Sequence, residues 1–180
     1  DQELALSEGT VDGVSCAVSR SAWDSASIPG LIRSRYSAFC QGSQSISNAM
    51  GGWVAAWCGE TDLALNRLKE SERLDPLSPL QADVHSARSL ALLLAGRFPE
   101  AVEAARRSIA TTPESTAPRR FLVAALWHAG AQEEAKRECT ALLARQPNAS
   151  LRRSGSMQRL KQDWMFNMLM DALRSAGLPE

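Results

Sequence analysis

Leu90-Ala91-Leu92-Leu93-Leu94-Ala95-Gly96-Arg97-Phe98-Pro99-Glu100-Ala101-Val102 is the stretch on which the fold turns. An apolar run stops at a glycine, which closes a helix because a left-handed residue there carries no Cβ penalty. Glu100 then falls in the first turn of a second helix, beside its positive dipole end. Ala101 lets two helices of a hairpin approach closely. Outward from this point the punctuation repeats. Gly59, Gly96 and Gly130 are 37 and 34 residues apart. Ala64, Ala101 and Ala135 follow each glycine by five, and Pro76, Pro113 and Pro147 follow by seventeen. Each proline ends the second helix, having no amide donor and disfavouring helix in the residue before it.

Between the markers, apolar and small residues recur at helical spacing. Leu63, Ala64, Leu68 and Ser71 form one stripe, Ala101, Val102, Ala105 and Ile109 a second, Ala135, Cys139, Leu142 and Leu143 a third. Amphipathicity alone would suit any helical bundle, but three residue types kept in register demand a repeat. The reading is all-α: an α-α superhelix, a solenoid of three helical hairpins over about 45–76, 79–113 and 115–147, without sheet. Residues 1–44 would supply two leading helices or a degenerate repeat, residues 45–147 the array, and residues 148–180 a linker and a capping helix. The cap would carry Trp164, Met165, Met168, Leu169, Ala172 and Leu173 on one side for packing.

The Gly, Ala and Pro sets resemble those of tetratricopeptide (TPR) repeats, whose period is about 34 residues. Asn48, His85 and Arg119 stand where that family often has Trp, so the units are divergent. Gly51-Gly52-Trp53, Glu72-Arg73-Leu74-Asp75-Pro76-Leu77-Ser78-Pro79, Ala95-Gly96-Arg97-Phe98 and Ala176-Gly177-Leu178-Pro179-Glu180 look more particularly like the C-terminal repeat region attached to bacterial class III adenylate or guanylate cyclases and to winged-helix regulators. The resemblance covers residues 45–180 and implies a scaffold that binds protein.

Composition narrows the function further. Twenty Lys plus Arg balance twenty Asp plus Glu, so no global field draws the chain to nucleic acid or an anionic membrane. The longest apolar runs are far shorter than the roughly 18 residues of a membrane span. Asp1 to Gly9 has neither a basic nor an apolar signal-peptide segment. The chain starts without Met, as a processed chain or a piece of a larger protein would. Cys16, Cys40, Cys58 and Cys139 form no CxxC pair and no metal-ligand spacing, which points to reduced thiols in a cytoplasmic protein.

No nucleophile, phosphate-loop, zinc-helix or dinucleotide motif accompanies His85 and His128, the only histidines. The expectation is therefore no enzyme activity, no catalytic, cofactor or metal residues, and no cofactor. The partner would be another protein or a peptide, with the chain's own parent catalytic or DNA-binding domain, or a second copy, as further candidates. Arg145, Arg152, Arg153, Arg159 and Lys161 lie in an interval without acidic residues, a solvated face or a dock for an acidic partner.

In stacked hairpins the first helices line the concave side. The face of each opposite its own second helix holds Ile46, Ala49, Trp53 and Trp57, then Ser86, Leu90 and Leu93, then Arg120, Ala124, Trp127 and His128. This predicts a groove with an aromatic floor at one end and Arg120 at the other, suited to an apolar peptide bearing a carboxylate. The alternative is that Trp53 and Trp57 pack against residues 29–41.

Overall fold

The computed structural model describes residues 44–157 and 160–180. These form helices α1 (Gln44–Cys58), α2 (Thr61–Leu74), α3 (Gln81–Leu94), α4 (Phe98–Thr111), α5 (Ala117–His128), α6 (Gln132–Arg145), α7 (Leu151–Met157) and α8 (Asp163–Ser175). There is no strand among the described residues. The leading helices expected before Gln44 lie outside them.

The glycine marker acts through backbone geometry. Gly59, Gly96 and Gly130 have φ of 78°, 73° and 84°. Each closes its helix with the same pair of bonds: in the second unit Gly96 N–H reaches the Leu93 carbonyl at 3.1 Å and Arg97 N–H the Leu92 carbonyl at 2.9 Å. Two terminal carbonyls are thereby satisfied, and the chain reverses into the next helix. The proline marker works on its predecessor. Asp75, Thr112 and Gln146 all leave helical geometry, with φ/ψ of −147/85°, −136/80° and −133/81°. Clash with the proline ring explains the common value. A turn follows each time, with Ser78, Ser115 and Ala149 donating to those three residues' carbonyls.

α1 and α2, α3 and α4, and α5 and α6 are hairpin partners; α2 meets α3 and α4 meets α5, while α1 meets α3 and α3 meets α5. Ala64, Ala101 and Ala135 are wholly buried where partners cross. One buried glycine and three buried serines bring the helices close. A Cβ on Gly52 would come within 2.6 Å of Leu68, and at the equivalent place in the next unit Ser89 Oγ donates to the Ala101 carbonyl at 2.9 Å. Ser71 Oγ donates to the Ser45 carbonyl at 2.8 Å and Ser108 Oγ to the Ala82 carbonyl at 2.7 Å. Hydroxyls bonded to carbonyls bury polar atoms without leaving them unpaired.

The outer side of α6 differs from those of α2 and α4. Leu65, Val102 and Lys136 occupy matching positions, 37 and 34 residues apart. Leu65 is half-buried and Val102 buried, but Lys136 is exposed and pairs with Glu133 at 2.8 Å. An exposed lysine there leaves α6 with a polar outer flank, which needs no further hairpin to cover it.

The segment expected as a linker holds the two-turn helix α7, and the last helix is seated on α5. His128 Nε2–H, at the end of α5, donates to the Met168 carbonyl at 3.1 Å. Beyond α8, the Pro179 carbonyl accepts from Leu151 N–H at 2.7 Å, on the side where Gln146 bonds Arg120 in the first turn of α5. α8 therefore runs antiparallel to α5. It ends as the first helices do, with Gly177 at φ 103° and Leu178 N–H on the Leu173 carbonyl at 3.0 Å.

Candidate partner-binding face

α1 contains no charged residue over its 15 positions, so its exposed side can offer only apolar and neutral polar groups. Trp53 and Trp57, one turn apart, project together with ring centroids 5.3 Å apart and planes tilted by 40°. Trp53 also lies 6.4 Å from Phe121, centroid to centroid, which brings α1 and α5 together over α3. At the far end of α5, Phe98 stacks on His128 at 5.2 Å. Ile46, Trp53, Trp57, Trp127 and His128 are half-buried, and these are the residues of the predicted face that keep some exposed surface. The alternative seat for the two tryptophans, residues 29–41, lies outside the described residues.

The other six positions lie inside. Ala49, Ser86, Leu90, Leu93, Arg120 and Ala124 each expose 3 % or less. Leu90, Leu93 and Ala124 belong to one continuous core with Met165, Leu169 and Leu173 of α8. The first turn of α8 reaches the α1–α2 corner: Lys161 N–H donates to the Trp57 carbonyl at 3.0 Å, and a Cβ on Gly59 would collide with the Met165 methyl. Six of the eleven predicted face residues are thus interior rather than on a surface, and α8 packs on α5.

Arg120 does not stand at an open end. Its guanidinium donates to Gln146 Oε1 at 3.2 Å, and its Nε has no partner. Burial, and then the Arg153 charge, push its pKa below the ordinary arginine value. Arg119 beside it is also buried, donating to the Pro113 carbonyl at 3.1 Å and lying 3.7 Å from Glu138. These guanidiniums tie helix ends together.

A second cluster of polar groups sits between α3 and α4, around a cavity of about 150 Å³ lined by His85, Arg88, Leu92, Glu100, Glu103, Ala104 and Arg107. Arg88 grips Glu72 of α2 through two bonds of 2.7 and 2.6 Å, and Arg107 pairs with Glu103. His85 Nδ1 lies 3.5 Å from Glu72. Burial holds the His85 pKa below its usual range, with Glu72 opposing and Arg88 and Arg107 assisting. The carboxylates and guanidiniums there are paired with one another: Glu72 with Arg88, Glu103 with Arg107 and Glu100 with Arg97.

Among the described residues no three His, Cys, Asp or Glu side chains are grouped to hold a metal. No helix there is long and apolar enough to cross a membrane. Cys58 and Cys139 are free, and burial raises the Cys139 thiol pKa. The last helix, expected as a cap on the third hairpin, lies on α5, the first helix of that hairpin, and buries Met165, Leu169 and Leu173. Compared with models of protein families and with curated proteins, the chain matches none.

Proposed function

We infer that the chain is a protein-interaction module: a TPR-like α-solenoid whose first helices receive a peptide or partner protein, without chemistry of its own. The observation that carries this is the Trp53–Trp57 pair, half-exposed on an uncharged helix and contiguous with α5 through Phe121. Partly exposed tryptophans joined into one surface are where interface energy concentrates, at about 2 kcal/mol or more per hot spot. The repeated turn geometry supports the solenoid, and the polar groups nearby are engaged in structural bonds. A cytoplasmic setting accords with the two free thiols.

The test is a peptide selection against the full chain, followed by titration of the selected peptide into Trp53→Leu and Trp57→Leu variants that keep apolar volume. A loss of about 30-fold in either is the expected size of one hot spot. Unchanged affinity in both would overturn the assignment of this face.

A second reading is favoured by α8. A helix that fills part of the face from within suits a regulatory or self-association region of a multidomain bacterial signalling protein, a cyclase or a transcriptional regulator, whose partner is its own parent. Analytical ultracentrifugation of the chain separates the two: a concentration-dependent dimer favours self-association, a monomer the stand-alone module.

A further inference from the structure

α8 is held differently from the six helices beneath it. Its described polar ties to the rest of the chain are main-chain contacts: Lys161 N–H to the Trp57 carbonyl, the Met168 carbonyl to His128, and the Pro179 carbonyl to Leu151 N–H. Its side-chain ion pairs stay within itself, Arg174 bonding Asp171 at 2.7 Å and Glu180 at 3.0 Å. Among the described residues no ion pair joins it to α1–α6, whereas α2 and α3 share Glu72–Arg88 and α4 and α6 share Arg106–Glu134. What seats it is an apolar stripe at i, i+4 and i+8, namely Met165, Leu169 and Leu173, all 1 % exposed or less. That is the anatomy of an amphipathic helix lying in a hydrophobic groove.

We propose that α8 is a resident, exchangeable occupant of the exposed side of α5, and that the partner of this module is an amphipathic helix that replaces it. The incoming helix carries Met- or Leu-sized residues at i, i+4 and i+8, runs antiparallel to α5, and has a polar outer side without a required charge. It presents a carbonyl for His128 from the residue just before the second apolar residue, as Met168 does. Removal of α8 would uncover the side of α5 on which it is seated, together with the apolar stripe it buries there. This inference rests on the partner-binding reading above and specifies the partner.

Two measurements on the full chain test it. In native-state hydrogen exchange, the amides of α8 are expected to exchange at least tenfold faster than those of α3 and α5, by an opening that leaves α1–α6 folded. Exchange of α8 together with α3 and α5, at one rate, would show it to be an inseparable part of the core and overturn the proposal. In the second, a fluorescein-labelled peptide of residues 160–180 is titrated into wild type and into the full chain carrying Leu169→Asp and Leu173→Asp. The variant should bind at least tenfold more tightly than wild type, and a scrambled peptide should bind neither. Equal binding to both chains overturns the proposal, as does a wild-type dimer built by exchanged α8 helices, which assigns the face to a second copy. If the double variant unfolds, Leu173→Ala serves in the same titration. A peptide selected through Trp53 and Trp57 can still bind a chain whose α8 never opens, so this failure is distinguishable from failure of the partner-binding reading.

Discussion

Hairpins α3–α4 and α5–α6 share a left-handed glycine, a buried alanine at the crossing and a pre-proline stop, yet they meet different neighbours. α4 meets α5 and buries Val102, whereas α6 leaves Lys136 exposed at the matching position. The comparison separates two roles in a repeat. The turn residues make each hairpin, and one outward side chain decides whether another hairpin follows. Beyond α6, α8 meets α5, as α5 meets α3 and α3 meets α1, but runs antiparallel to it.

Exchanging the two outward residues is the sharpest way to break this comparison. Val102→Lys buries an ammonium between α4 and α5 with no carboxylate placed for it, and about 3 kcal/mol or more of stability should be lost in urea unfolding. An unchanged midpoint would show that Val102 does not define the stacking surface. Ala101→Leu forces a larger side chain into the α3–α4 crossing and should cost about 1–3 kcal/mol by the same measurement.

A smaller and pH-dependent effect comes from His85. Its pKa is lowered in the folded chain, chiefly by burial, so the unfolded chain binds more protons. The stability it contributes is complete above the unfolded value of about 6.5 and is lost as pH falls toward the lowered folded value. Thermal unfolding from pH 7.5 to 5 should therefore show a wild-type decline that His85→Gln lessens; parallel curves would remove His85 from the account. Lys136→Val should change stability least, within about 0.5 kcal/mol, because the site is exposed. It should instead increase self-association in sedimentation, by giving α6 the apolar flank that α4 has.

Hairpin boundaries were legible at the level of single residues. Expected limits of 45–76, 79–113 and 115–147 compare with helices spanning Gln44 to Leu74, Gln81 to Thr111 and Ala117 to Arg145. Gly and Pro act on their own backbone and that of a chain neighbour, so their effect is local and can be read without the rest of the molecule. The burial of Ala64, Ala101 and Ala135 was equally readable, since a fixed register places each at the same crossing.

The face was legible only in part. Periodicity identified Leu90, Leu93 and Ala124 as a common surface and paired Trp53 with Trp57, but a helical stripe states that a side is apolar and not what lies against it. For Arg120, the sequence carried a charge that reads as exposed. Its burial depends on Gln146, 26 residues away, and on the return of the chain after α6. The same holds for α8, whose amphipathicity suits a cap on α6 and a helix across α5 equally well. Helical period, turn residues and hairpin order were determined by the sequence alone, because they arise from steric limits within a few residues. The seat of α8, and with it which part of the first-helix face stays open, was decided by tertiary structure, because complementarity between distant apolar surfaces leaves no mark in local spacing.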